Sequence, residues 1–207
     1  MYKKISIIFV ILFLLISLVG CSSNKSNTVN NANTPYISES LSLNESISSP
    51  TQSSKPVEEN IGTFSTNILD KSSGRQTNIE LTCSKLNGTI VKQDETFSFC
   101  DTVGKATPEE GYQKAKVFDS NGEVTMGYGG GNCQVSSTLY NVVLQNSNFE
   151  VVERHPHAHT VDYVEKDKDA SVACGSVDFK FKNNASYDIR IDASTDGNTV
   201  TVSIIKI

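Results

Sequence analysis

A cysteine that directly follows a run of glycines, in the stretch GGGNC, is the first candidate for chemistry in this chain. Apolar residues recur at helical spacing from Val135 to Val143, which predicts an amphipathic helix that starts at Cys133 and buries one face. A thiol at a helix start lies near unpaired N–H groups and the positive end of the dipole, which lower its pKa. The pattern therefore predicts a nucleophile, and the glycines 129–131 would let the backbone approach another molecule closely.

A nucleophilic thiol needs a base to take its proton and a third group to orient that base. All histidines of the chain lie in the segment ERHPHAHTVDY, at His155, His157 and His159. In an extended segment alternate residues share a face, so one of these rings could meet Cys133. Carboxylates that could orient the base follow at Asp162, Asp167 and Asp169. The order of cysteine, histidine and aspartate is similar to that of transglutaminase-like cysteine enzymes.

Two other interpretations of these residues stay open. Three histidines on one face, together with a thiol, could bind zinc or copper. Alternatively, Cys133 is an inert, packed helix residue and the histidines are surface side chains. No C-x-x-C pair is present, which disfavours a structural zinc site, and we expect neither a metal nor a cofactor.

The first 21 residues predict a bacterial lipoprotein signal peptide. Two lysines precede an apolar run over 5–19, which is shorter than the about 20 residues that a membrane span takes. The ending Leu-Val-Gly-Cys resembles a lipobox, in which Cys21 receives the lipid and becomes the mature N-terminus. We expect a protein that is lipid-anchored on the extracytoplasmic face of the cell membrane; a plain signal peptide or an uncleaved anchor is the alternative.

Composition divides the rest of the chain into a tether and one domain. Residues 22–60 are rich in serine and asparagine and poor in large apolar residues, so this segment is expected to be disordered. Residues 61–207 have the length of one domain with a core of its own. The net charge is −5 and no basic patch is present, which argues against a nucleic-acid partner.

The apolar patterns predict an α+β fold, a mostly antiparallel sheet with two main helices, one of which starts at Cys133. A capping box at Thr77–Glu80 and a stop at Asn87-Gly88 predict the first helix over 77–87. The second helix is expected over 133–146. Strands are expected at 95–100, 149–153, 159–164, 171–174, from 178, and at 189–193 and 199–205, the last two forming a hairpin around Asp196-Gly197.

The cysteine count restricts the possible disulfides without fixing them. Beside Cys21 the chain has four cysteines, at positions 83, 100, 133 and 174. If Cys133 is a working thiol, an odd number remains, so at least one other cysteine must be free.

Several of these stretches together resemble the VanW domain. In chain order they are FSF, Gly104, Gly111-Tyr112, GGGNCQVSSTLYN, ERHPH, DASV and DFKFKNN. The resemblance covers about residues 64–207. The family is named for a place in glycopeptide-resistance gene clusters, and some members are understood to be L,D-transpeptidases that use a cysteine. The resemblance therefore implies peptidoglycan stem peptides as the partner.

Matching the motifs residue by residue implies Cys133 as nucleophile, His157 as base and Asp169 as the group that orients it. The chain departs from the family pattern at Gln93-Asp94, at 166–168, and at Cys100 and Cys174. The altered turn before Asp169 puts the assignment of that residue in question.

The resulting hypothesis is a cysteine L,D-transpeptidase that forms 3-3 cross-links through a thioester. The alternatives are an L,D-carboxypeptidase or a non-catalytic lipoprotein that binds wall peptides or a glycopeptide. Candidate substrate-binding residues are Gly130, Gly131, Gln134, Ser136, Ser137 and Arg154. The serines could instead satisfy N–H groups of the first helical turn, and Arg154 could form a surface ion pair.

Overall fold

A computed structural model describes residues 57–119 and 122–207. In chain order the elements are β1 (Glu59–Asn67), α1 (Ser73–Leu86), β2 (Thr89–Val91), β3 (Thr96–Ser98), α2 (Phe99–Val103), β4 (Lys114–Phe118), β5 (Val124–Tyr128), α3 (Asn132–Val143), β6 (Phe149–Glu153), β7 (Lys180–Asn183), β8 (Ile189–Thr195) and β9 (Thr199–Lys206). The strands pair antiparallel in every ladder of this described part. The predicted α+β class is confirmed.

The predicted signal peptide with Cys21, and nearly all of the predicted tether, lie outside the described residues. Within the part that is described, no helix has both the length and the apolar character that crossing a bilayer requires.

The largest sheet has the strand order β1-β9-β8-β2 and forms one side of the core. Side chains alternate along its central strands: Val200, Val202 and Ile204 of β9 are fully buried, as are Ile189 and Ile191 of β8. Helix α1 packs on β8, and helix α3 packs on β1 and β9. The two helices therefore cover the single apolar face of this sheet.

A second sheet, with the order β3-β7-β6, carries a cluster of phenylalanines. The ring of Phe181 in β7 lies 5.2 Å from that of Phe97 and 5.6 Å from that of Phe149. Phe179 continues the cluster at 6.2 Å and meets the edge of Tyr140 of α3 at 5.5 Å. Aromatic packing therefore connects this sheet to α3.

The remaining two strands, β4 and β5, form a separate two-stranded sheet. Cross-strand pairs place Lys116 opposite Met126 and Phe118 opposite Val124. The apolar side chains of these pairs, Phe118, Val124 and Met126, are exposed. Their exposure explains why the apolar pattern gives no sign of this hairpin.

Strand β1 begins at Glu59, inside the segment assigned to the tether, and pairs with β9 along its length. Its alternation is weak because Thr66 is its only fully buried residue. The pairing partner is more than a hundred residues away in the chain, so local composition does not reveal the strand. The first strand thus begins two residues before the position at which the sequence predicts the domain to start.

Helix α1 begins at Ser73, before the expected start at 77, so the capping-box residues lie inside the helix. Gly74 is its second residue, and a Cβ there would lie 2.5 Å from the carbonyl oxygen of Lys114. Close packing of β4 thus requires a glycine where helix propensity disfavours one. Tertiary contact overrides the local signal.

Helix α3 ends at Val143, earlier than the expected end at 146, and it is central rather than amphipathic. All of its residues are buried except Cys133 and Tyr140, which are half-buried. Polar side chains are among the buried ones, and two of them, Ser137 and Asn141, are hydrogen-bonding partners for the segment 154–178.

The strands expected at 159–164 and 171–174 do not form. In the segment 154–178, the β-type pairing consists of an isolated bridge between Ala173 and Val177. The segment hydrogen-bonds to α3 instead. The amide of Ala170 donates to Ser137 Oγ at 2.9 Å, and Asn141 Nδ2 donates to the Lys168 carbonyl at 2.7 Å. Side chains of the helix thus replace a partner strand. The expected strand 95–100 is also shortened, because α2 begins at Phe99.

The structure resolves the pairing of the four cysteines that lie within the described residues. Cys100 and Cys174 form a disulfide with 5.1 Å between their Cα atoms. Cys83 and Cys133 are free. Burial in the core raises the pKa of Cys83 to about 12, so this thiol is inert at neutral pH.

Replacing Phe181 by alanine should lower the free energy of unfolding by about 3–5 kcal/mol, because it empties the centre of the phenylalanine cluster. Urea unfolding with the disulfide intact measures this loss. Val152→Ala is the control, since Val152 is 52% exposed on neighbouring β6 and its loss should change stability by no more than about 0.5 kcal/mol. Equal losses in both variants would show that the cluster does not carry the second sheet.

Candidate active site

The glycine turn before Cys133 fits tightly between two neighbouring elements. Gly131 caps α3 with a φ of 117°, and a Cβ there would lie 2.6 Å from Cγ1 of Ile79 in α1. A Cβ at Gly130 would lie 2.5 Å from the carbonyl oxygen of Lys116 in β4. The glycines thus allow close contacts within the protein, where the sequence suggested close approach of another molecule.

Cys133 lies on the wall of a cleft of about 1010 Å³. The cleft is lined by the glycine turn, by the hairpin β4–β5, and by parts of 156–163 and 171–177. The amide of Val172 donates to Cys133 Sγ at 3.4 Å, and the hydroxyl of Ser171 is a further hydrogen-bonding partner of the sulfur. The nucleophile predicted from the sequence therefore faces open space and has donors beside it.

His157 is the histidine that the fold brings to this thiol. Its ring hydrogen-bonds with the Cys133 side chain. On the other side of the ring, Nδ1 lies 2.6 Å from Oδ2 of Asp169, and the same oxygen accepts the backbone N–H of His157 at 2.6 Å. Since a carboxylate accepts, Nδ1 carries the proton and Nε2 is left to exchange a proton with the sulfur.

Arg154 hydrogen-bonds to Asp169, the residue whose carboxylate orients His157. Its Nη2 donates to Oδ1 of Asp169 at 2.7 Å, and its Nε donates to the Asp169 carbonyl at 2.6 Å. Its guanidinium also lies over the ring of Tyr140 at 5.5 Å. The geometry gives Arg154, a candidate for substrate binding, an intramolecular partner and a positioning role.

The interactions of the site shift the pKa values of the Cys133 thiol and the His157 imidazole toward each other. Burial acts to raise the pKa of Cys133, but its hydrogen bond with His157, the charge of that ring and the Val172 amide outweigh burial, and the net pKa lies below its ordinary value. Burial acts to lower the pKa of His157, yet Cys133 and Asp169 raise it overall. Burial opposes ionisation of Asp169 as well, and the hydrogen bonds from His157 bring its pKa below the ordinary value.

Of the other two histidines, His155 meets a carboxylate, whereas His159 lies beside Phe118, whose ring the His157 ring also meets at 6.0 Å. His155 Nε2 lies 3.0 Å from Oε1 of Glu153. The ring of His159 lies 6.4 Å from that of Phe118, at the hairpin. Among residues 57–119 and 122–207, no group of three histidine, cysteine or carboxylate side chains is placed to hold a metal ion.

Two of the three polar candidates in the first turns of α3, Gln134 and Ser137, are hydrogen-bonded within the protein. Gln134 Nε2 donates to Thr66 Oγ1 at 3.1 Å and to the Asn67 carbonyl at 2.9 Å. Ser137 Oγ donates to the Cys133 carbonyl at 2.7 Å, in addition to accepting from the segment that carries Asp169. Ser136 is fully buried, and its hydroxyl has no partner in the described part of the chain. These side chains support the helix and the segment beside it.

Three site residues escape sequence reasoning. Arg75 lines the cleft from the start of α1, in a stretch that reads as polar loop. Val172 acts through its backbone amide, which no side-chain pattern can show. Tyr163 lines the cleft as well, and burial raises the pKa of its hydroxyl; the sequence offers only an aromatic residue in a polar segment.

Replacing His157 by alanine should raise the apparent pKa of Cys133 and slow its alkylation near neutral pH, because burial then acts without an opposing imidazolium. In the unchanged chain, alkylation by iodoacetamide should reach half its maximal rate at a pH below the roughly 8.5 of an ordinary cysteine. Initial rates followed by mass spectrometry across neutral and alkaline pH give both values.

His155→Ala is the matched control for this measurement, since its ring contacts Glu153 rather than the thiol. Its pH profile should equal that of the unchanged chain. A His157→Ala profile that also stays unchanged would contradict the pairing of sulfur and ring.

Comparison with known proteins identifies relatives of this chain. Residues 74–205 match the family model described as "VanW like protein". YoaR of Bacillus subtilis (strain 168) is 35% identical over 144 residues, which cover 70% of this chain and 47% of that protein. The vancomycin B-type resistance protein VanW of Enterococcus faecalis (strain ATCC 700802 / V583) is 30% identical over 130 residues, which cover 59% of this chain and 46% of that protein.

The chain thus spans about half the length of these curated relatives. No solved structure matches it. The family match covers both Cys133 and the segment that carries His157 and Asp169, together with most of the described fold. The chain belongs to the family of VanW-like proteins.

Proposed function

We propose that this domain is a cysteine acyltransferase, an L,D-transpeptidase that acts on peptidoglycan stem peptides. The observation that carries the proposal is the hydrogen-bonded series Cys133, His157, Asp169 and Arg154, which opens on a large cleft. A relative named for vancomycin resistance supports a role at the bacterial cell wall.

In the first half-reaction the Cys133 thiolate attacks the carbonyl of diaminopimelate in a tetrapeptide stem. An S–C bond forms, and the C–N bond to the terminal D-alanine breaks. The imidazolium of His157 gives its Nε2 proton to the leaving amine, so the amine departs neutral. Asp169 keeps the ring in the tautomer that this transfer needs.

The backbone amide of Cys133 is the donor best placed to hold the oxyanion of the intermediate. Its neighbours are occupied, since the amides of Asn132 and Gln134 donate to Gly129 O and Gly131 O at 3.0 Å each. The Cys133 amide lies in the first helical turn, where the helix supplies no carbonyl partner. Losing one such donor typically costs about 2.7–4 kcal/mol of transition-state stabilisation.

In the second half-reaction an amine of a second stem attacks the thioester. A C–N bond forms, the C–S bond breaks, and His157 accepts the proton of the attacking amine, which restores the thiolate and imidazolium. The product is a 3-3 cross-link. Water in place of the amine would make the enzyme an L,D-carboxypeptidase.

We further propose that the chain works outside the cytoplasmic membrane, anchored through a lipid on Cys21. The support is the lipobox-like ending of the first 21 residues and the Cys100–Cys174 disulfide, because disulfides persist in oxidising compartments.

The full chain, purified in detergent and incubated with disaccharide-tetrapeptide muropeptides, should release D-alanine and form cross-linked dimers. Cys133→Ala should abolish both products, because no acyl-enzyme can form. Cys83→Ala removes the other free thiol, which is buried in the core, and should leave the products in place. Liquid chromatography with mass spectrometry identifies each species.

Tripeptides without dimers would assign hydrolysis rather than transfer. Identical products from the unchanged chain and from Cys133→Ala would refute catalysis by this thiol, leaving a protein that binds wall peptides without turning them over.

A further inference from the structure

Arg75 differs from the other arginines of the chain in its lack of a carboxylate partner. Arg154 pairs with Asp169, and Arg190 pairs with Glu58 and Asp192. Arg75 forms no ion pair with any residue in the described ranges. The charge of Arg75 helps to lower the pKa of Asp70, but the Asp70 carboxylate accepts a hydrogen bond from the Ser72 amide at 3.0 Å instead. The guanidinium of Arg75 therefore lines the cleft without an ion pair to a described carboxylate, with the charge of Asp70 nearby.

The guanidinium of Arg75 is held in place and still has donors to offer. Its Nη2 donates to Oε1 of Gln134 at 2.8 Å, and Gln134 is itself fixed by Thr66 and Asn67. Its Nη1 makes no hydrogen bond to a described residue, whereas the buried Nε has no partner and no surface that a ligand could reach. A planar, fixed guanidinium with unused donors is suited to a carboxylate.

Arg75 and Cys133 line the same cleft, which fits a ligand carboxylate near the bond that is attacked. Gln134, which Arg75 contacts, directly follows Cys133. One extended residue spans about 3.3–3.6 Å, so a ligand carboxylate one residue beyond the attacked carbonyl would lie in the same cleft as that carbonyl.

The helix that carries Arg75 gains nothing from its charge. The residue lies in the first turn of α1, which holds no acidic side chain. A cation at this end of a helix opposes the dipole, whereas an anion there is favoured. A bound carboxylate would offset both the unpaired guanidinium and the helix end.

We propose that Arg75 binds the free terminal carboxylate of the donor stem peptide, the D-alanine carboxylate next to the bond that Cys133 attacks. The inference deepens the proposed function, on which the identity of the ligand rests. It makes Arg75 a specificity-determining residue that selects a tetrapeptide with a free acid end.

Binding of two synthetic tetrapeptides tests this proposal without turnover. The ligands are L-Ala-γ-D-Glu-diaminopimelyl-D-Ala as the free acid and as its C-terminal carboxamide, titrated calorimetrically into the full chain carrying Cys133→Ala, in detergent. The acid should bind about 10- to 100-fold more tightly than the amide, the range expected for a hydrogen bond between charged groups.

Adding Arg75→Gln should reduce the affinity for the acid to that for the amide and leave the affinity for the amide unchanged. Unchanged binding of the amide shows that the variant is folded, and Arg75→Lys, which keeps the charge without the planar fork, should retain part of the preference. Lys105→Gln is the matched control, since it removes another cation from the lining of the cleft and should leave the preference intact.

Equal binding of acid and amide, a preference that survives Arg75→Gln, or no binding of either peptide would overturn the proposal. A third peptide, amidated only at the glutamate α-carboxyl, should bind like the free acid. Weaker binding of this third peptide would show that Arg75 recognises the glutamate carboxylate rather than that of D-alanine. If the preference is found while the unchanged chain forms no product from muropeptides, the proposed activity fails and the Arg75 site stands.

Discussion

The arrangement of the site depends on the side chain and carbonyl of Asp169. Its two carboxylate oxygens accept from the His157 ring, the His157 amide and Arg154, and its carbonyl accepts a further bond from Arg154. Four donors on one residue fix the segment 154–157 against the segment that follows 168. Because the side chains of Asp169 and His157 are almost fully buried, removing one member would leave the others desolvated and unpaired.

Buried polar side chains of helix α3 hydrogen-bond to the segment that carries Asp169. Ser137 and Asn141 hydrogen-bond to the backbone on either side of Asp169. Cys133 contacts Val172, three residues after Asp169. Cys174 then ties the same segment to Cys100 at α2. An irregular segment without a strand partner is thereby fixed at several consecutive points, which keeps the sulfur, the ring and the carboxylate in register.

The site was easier to predict from the sequence than the fold around it. The unusual glycine-cysteine stretch and the few histidines narrowed the choice, and the family resemblance singled out His157, which spacing alone could not do. The contacts of Arg75 and Val172 depend on tertiary packing or on backbone atoms, which leave no local pattern. The same reason accounts for β1 and the β4–β5 hairpin, whose apolar residues are mostly exposed, and for the strands expected at 159–164 and 171–174, whose backbone bonds to a helix.

The hairpin β4–β5 pairs with no other strand in the described residues, yet it forms a wall of the cleft. Its ladder is complete within itself, and Lys116 meets the glycine turn at Gly130 through a backbone carbonyl rather than a side chain. The exposed Phe118 of the hairpin also meets the ring of His157 edge-on, with 6.0 Å between the ring centres. A substitution at Phe118 would therefore change the wall of the cleft and the surroundings of the His157 ring together.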